Sequence, residues 1–153
     1  MCEARAELDA HADTCCVGAG FEMICEAVQM CSVEPFLESY SPVSKTPVTP
    51  CITAYDDANT SETFILQFHQ ALFFGEKLQN SLLNPNQIRM AGNIVNDCSK
   101  FLSTEKGSSH SIKTDEIEIP LELTGVISGF NVRTPTEAEK TNCTWVDMTD
   151  ISE

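Results

Sequence analysis

Residues 6–18 read AELDAHADTCCVG, and the fold turns on how this stretch is understood. Upstream, 2–8 alternates: Ala4, Ala6 and Leu8 fall on one face, Glu3, Arg5 and Glu7 on the other. That period of two predicts a half-buried strand with Asp9 at its C-terminal end. Asp13 follows four residues later, with His11 between the two acids and Cys15 and Cys16 behind them. Three chemistries compete for such a cluster: a metal site, a cysteine nucleophile with a histidine base, and a catalytic carboxylate at the mouth of a sheet.

Working outward, Gly18 and Gly20 break the chain, and 21–33 reads as strands around a turn. The segment 34–50 holds four prolines and reads as a loop or irregular hairpin. Two strands are predicted at about 51–56 and 62–74, joined by the polar turn DDANTSE. At 81–92 the period changes. Asn84 can cap a helix with Pro85 in its first position and Gly92 past its end, which predicts one short helix at about 85–91 after the apolar pair Leu82 and Leu83. A short strand in 93–98 and a loop over 101–111 follow. The stretch EIEIPLEL turns Ile117, Ile119, Leu121 and Leu123 inward, with Pro120 marking an edge strand, and 124–133 returns as its partner. From Thr134 the chain is acidic and aperiodic. The expected organisation is a mainly-β domain over 1–133 and an acidic C-terminal tail over 134–153.

The 153 residues suffice for one core. Twenty-three acidic residues against 9 Lys and Arg give a net charge of −14, which opposes nucleic acid and anionic membrane surfaces as partners. The most apolar stretch, 64–74, falls short of the ~20 residues a spanning helix needs. With no basic-then-apolar N-terminal segment, the expected location is intracellular, in the cytoplasm. The eight cysteines are then expected reduced.

These features weigh on the three chemistries. Ligands drawn from His11, Cys15, Cys16, Cys25 and Cys31 are irregularly spaced and include no C-x-x-C pair, so no metal and no other cofactor is expected. Nothing in the sequence pairs Cys15 or Cys16 with His11, His69 or His110. The carboxylate reading fits the strand-Asp-turn order. It needs a second acid, which an identical chain on a two-fold axis would bring. The residues alone leave open whether Asp9 is catalytic or a strand-end carboxylate satisfied by turn amides.

The stretch ELDAHADTCCVG resembles the catalytic loop of retroviral-type aspartic proteases, hydrophobic-Asp-Ser/Thr-Gly-Ala-Asp/Ser. It is closer to the Asp-Ser-His-Ala-Asp-Thr variant of copia-type retrotransposon polyproteins. ALFFGEKLQNSLLNPNQIRMAG is similar to the copia-type segment in which a strand ending in a Leu-Tyr-Val-Pro-like turn leads to Asn-Leu-Leu-Ser-Val-Ser-Gln-Leu. TAYDDANTSETFILQFHQALFFG and RTPTEAE match that subgroup in spacing, so the likeness spans roughly 3–137. It implies a retropepsin-like closed or partly open β-barrel, a homodimer, and cleavage of a polypeptide substrate, the element's own polyprotein. Asp9 matches the catalytic aspartate. Asp13 matches the acid that braces the loop and contacts substrate backbone, and Ala12 the small residue of the motif. Ala10, His11 and Thr14 fill the remaining loop positions, and Leu82 and Leu83 match the apolar pair beneath the loop. The cleft-covering flap would fall at about 33–47. Two positions depart from the family. Ala10 stands where a Ser or Thr hydroxyl usually bonds across the dimer, and His11 where Gly is usual. The alternatives are therefore an inactive domain of the same fold serving structure or dimerisation and, third, a small Cys/His metal-binding domain.

Overall fold

The first strand, β1 (Glu3–Leu8), buries Ala4 and Ala6 and leaves Glu3 exposed, as its alternation requires. In this computed structural model, which describes residues 3–26, 29–33, 43–99 and 109–149, it is followed by β2 (Cys16–Gly18), β3 (Glu22–Met23), β4 (Gln29–Val33), β5 (Val43–Asp56), β6 (Thr63–Gly75) and β7 (Asn80–Leu83). Then come α1 (Pro85–Met90), β8 (Ile94–Asn96), β9 (Ser111–Lys113), β10 (Glu118–Pro120), β11 (Glu122–Thr124), β12 (Ile127–Arg133), α2 (Glu137–Asn142) and β13 (Thr144–Asp147). Among the described residues no helix is long and apolar enough to cross a membrane.

Six strands form a ring in the order β12-β1-β7-β2-β6-β5, which closes where Arg133 of β12 pairs with Ala54 of β5. The Thr53 hydroxyl reinforces the closure, shared between Gly20 O at 2.7 Å and Arg133 O at 3.1 Å. The fold is thus a mainly-β closed barrel, as expected. β11, β13, β3 and β4 extend the ring, and β8, β9 and β10 form a separate three-stranded sheet. Inside the barrel Phe21 meets Phe68 edge-on at 5.7 Å, and Leu66, Val17 and Leu83 are fully buried. Arg5 lies across β12, giving hydrogen bonds to Glu122 O at 3.0 Å and Ile127 O at 3.1 Å. That path exists because position 129 is glycine: a Cβ there would come within 2.9 Å of the Arg5 guanidinium and 2.5 Å of Ala6 O.

Several expectations need correcting. The strand expected at 51–56 begins at Val43 and runs through Pro47 and Pro50. Pro50 is tolerated because the β5–β6 register shifts between Thr49 and Cys51, so its missing N–H falls in a bulge. The strands expected around a turn in 21–33 are β3 and β4, and both lie against β5. The stretch 116–123 is two strands, split at Leu121, whose N–H donates to His110 O at 2.9 Å. Leu123, expected inward, is 38% exposed. The flap expected at about 33–47 lies largely outside the described residues, as does most of the loop expected over 101–111; Val33 and Val43 pair at the base of the former.

The largest correction concerns the acidic tail. Among the described residues a second short helix joins the expected one, and residues 134–149 are folded onto the barrel. β5 and β6 bury a second face, with Ile52, Ala54 and Ile65 all fully covered and Cys143 packed against them. Both faces of a strand pair being apolar demands a cover on each side. α2 supplies part of it, opened by a reciprocal capping box between Thr136 and Glu139. β13 then adds to β6 in parallel and sends Val146 into the main core, where Met148, just beyond it, is buried as well. Arg133 locks this arrangement. It makes two-point contacts to Asp56 (2.6 and 2.8 Å) and to Glu139 (2.8 and 2.6 Å).

Met148→Ala should therefore lower unfolding free energy by about 2–5 kcal/mol in urea titration, because it empties a filled core site; a residue in a loose tail would change it by less than about 0.5 kcal/mol. A second outcome concerns acid. Hydrogen bonds from Arg133, then from the Thr136 backbone, lower the Glu139 pKa from 4.5 to about 2. The stabilisation this gives is complete above pH ~4.5 and is lost as pH falls towards 2. Glu139→Gln should lose stability at pH 7, and its deficit relative to the parent should shrink progressively between pH 5 and 2.

Candidate active site

β1 ends at Leu8, and Asp9 is the next residue. Its N–H donates to Leu83 O at 2.9 Å, so the parallel β1–β7 ladder, in which Leu8 faces Leu83, continues one bond into the loop. This fixes the backbone at the point where the carboxylate leaves the sheet. Leu83 is fully buried below; Leu82 is half-buried, with its backbone between Glu7 of β1 and Cys16 of β2. Both therefore support the loop, one through the core and the other through the sheet.

Asp9 Oδ1 accepts the His11 N–H at 2.9 Å, and the Ala12 N–H reaches Asp9 O at 3.4 Å. The strand-end reading of Asp9 is thus realised for one carboxylate oxygen. Oδ2 has no hydrogen-bond partner among the described residues. Ala10, His11 and Asp13 are exposed, while Asp9, Ala12 and Thr14 are half-buried. The Ala10 methyl offers no hydrogen bond.

The far half of the loop is held by the first turn of α1. Asn84 caps the helix: its Oδ1 accepts from Asn86 N at 2.8 Å and Gln87 N at 3.4 Å. The other end of the same amide donates to Ala12 O. Gln87 stands three residues past the cap, where a side chain often reaches back to close a capping box. Here it turns to the loop instead. Its Oε1 accepts from Cys15 N at 2.7 Å and its Nε2 donates to the Thr14 hydroxyl at 3.0 Å. Thr14 in turn donates to Gln70 O at 3.3 Å. Gln70 has a left-handed backbone, φ 55°, in the middle of β6. Of these anchors the sequence flagged only the helix-capping half of Asn84. The Asn-x-x-Gln spacing was a readable signal for Gln87, but its target, more than seventy residues earlier in the chain, was not.

The cysteine-nucleophile reading fares poorly. Burial pushes the Cys15 thiol up to about 12, against a hydrogen bond from the Asn84 backbone. Burial, then the Asp9 and Asp13 carboxylates, push Cys16 up to about 11. Neither is a thiolate at neutral pH. His69 pairs with Asp147 at 3.0 Å and His110 with the Ser128 hydroxyl at 2.8 Å. For the metal reading, His11, Cys15, Cys16, Cys25 and Cys31 do not converge: among the described residues no three His, Cys, Asp or Glu side chains form a group able to hold an ion.

Comparisons with protein-family models, with curated proteins and with solved structures give no match.

Asn84→Ala should cost about 2 kcal/mol in chemical denaturation, about half from the lost cap and half from the lost loop bond. Asn84→Asp keeps the cap acceptor but sets a carboxylate against Ala12 O, so it should recover only the capping half.

Proposed function

We propose that the chain is an aspartic endopeptidase domain of retropepsin type, akin to those of copia-type retroelements. It would act as a homodimer in which Asp9 of each copy supplies one carboxylate. The observation that carries the reading is the setting of Asp9. It stands at the end of a barrel strand, its amide tied to Leu83 O, on a loop braced from below by α1 and exposed above. That is a rigid base with an open face, which a second copy of the loop can meet. The resemblance of residues 9–14 and 71–92 to the family's two segments supports the same reading.

Two carboxylates brought close cannot both stay ionised, so the pair retains one proton. The ionised member takes a proton from water as its oxygen attacks the scissile carbonyl; the protonated member gives its proton to the amide nitrogen as the C–N bond breaks. No metal or cofactor enters the scheme. Oδ2 of Asp9 is the oxygen left for this work, since Oδ1 is engaged by His11 N.

A second reading has its own support. With a methyl at Ala10, the loop lacks the hydroxyl that would bond across the dimer, and the same fold could serve as a catalytically silent dimerisation domain.

Cleavage of a peptide library at mildly acidic pH separates the two. The endopeptidase should show a bell-shaped rate profile whose limbs belong to the pair. Asp9→Asn should abolish cleavage and leave the unfolding free energy within about 0.5 kcal/mol of the parent. Ala10→Ser should raise the rate by up to about fivefold if it restores a cross-dimer hydrogen bond worth about 1 kcal/mol. No cleavage by either the parent or Ala10→Ser would leave the silent domain as the reading.

A further inference from the structure

Beside the loop lies an open hollow of about 250 Å³ between β6, α1 and the end of β13. This is below the roughly 300–1,000 Å³ of pockets that take a whole small molecule; it suits a single side chain. Most of its polar wall is already engaged. Thr14 and Gln87 bond each other at 3.0 Å. Thr149 Oγ1 accepts the His69 N–H at 2.9 Å, and the His69 ring faces Asp147. What remains of its lining is the exposed Asp13 carboxylate, with no salt bridge among the described residues, and the Met90 side chain, 74% exposed. The nearest cation on α1, Arg89, is turned away to Asp97 and Val95 O.

A hollow lined by both an acceptor-only carboxylate and an apolar side chain is a complementary surface for a long aliphatic chain ending in a cation. We propose that this hollow is a subsite for the side chain of a lysine or arginine, with Asp13 as the residue that sets the preference. That the side chain belongs to a peptide substrate rests on the endopeptidase reading; that the hollow takes a cation does not. The chain's net charge of −14 favours the approach of such a ligand.

The test requires no cleavage. The full chain, labelled with nitrogen-15, is titrated with Nα-acetyl-arginine amide, Nα-acetyl-lysine amide and the neutral Nα-acetyl-norleucine amide. The cationic compounds should give saturable shifts at the amides of Thr14, Gln70 and Gln87, and the norleucine compound should not. Asp13→Asn should weaken binding about fivefold, the upper end for a solvent-exposed ion pair, and Asp13→Glu should restore it. Raising the salt should weaken the parent's binding towards that of Asp13→Asn. Equal shifts from norleucine, no shifts from the cationic compounds, or an unchanged affinity in Asp13→Asn would each overturn the subsite. Binding without any cleavage of peptides would sustain the subsite and count against the endopeptidase alone.

Discussion

One register pair, Arg133 opposite Ala54, turns a long curved sheet into a barrel. Without it the ends of β12 and β5 beyond their pairings with β11 and with β3 and β4 would not meet, and the six strands would have no closure to fix their curvature. The side chain of Arg133 then makes the closure hard to undo. Its guanidinium holds Asp56 at the end of β5 and Glu139 in α2, each through two hydrogen bonds. Donating hydrogen bonds to Glu139 and Asp56 raises the Arg133 pKa further, so its charge is permanent, and the carboxylates answer by becoming harder to protonate. The candidate site inherits its rigidity from this ring. β1 is clamped between β12 and β7, so the position of Asp9 is set by pairings on both sides.

The parts of the fold legible in the sequence were those written in short-range patterns. The alternation of Ala4 and Ala6, the turn between β5 and β6, and the Asn84–Pro85 helix start each need only a few neighbouring residues to be read. What escaped depends on distant partners. Nothing local shows that Pro50 falls in a bulge, because the bulge is defined by its mismatch with β6. Leu121 splits a cleanly alternating run because its amide is claimed by His110 O, and that leaves Leu123 outside.

The segment after Thr134 is the instructive miss. Its capping box, Thr136 to Glu139, and the apolar pair Trp145 and Val146 were both present in the letters. Acidity hid them, because a charged stretch reads as solvated chain when taken alone. The missing fact was the second apolar face of β5 and β6. Ile52 and Ile65 sit on strands whose other face also points to apolar neighbours, so a cover had to come from elsewhere in the chain. Apolar residues on both faces of a long hairpin are thus a better guide to a folded terminus than the terminus's own composition.

The loop shows how far a single chain can carry a site that needs two. Everything that fixes its backbone is internal: Leu83 O beneath Asp9, Asn84 beneath Ala12, Gln87 beneath Thr14 and Cys15. Everything that would tune its chemistry lies on the open side, where Ala10, His11 and Asp13 are exposed. On the proposed reading, a second copy brings another Asp9 and another Asp13 towards the first pair. Four carboxylates then gather in a chain already at −14, and repulsion opposes the approach. The shared proton between the two Asp9 residues relieves one of those charges, and a cationic side chain beside each Asp13 would relieve two more. Assembly, protonation and substrate binding would thus be coupled through one electrostatic quantity. A loop pre-built on α1 suits that coupling, because no ordering of its backbone has to be added to the electrostatic cost of bringing the acids together.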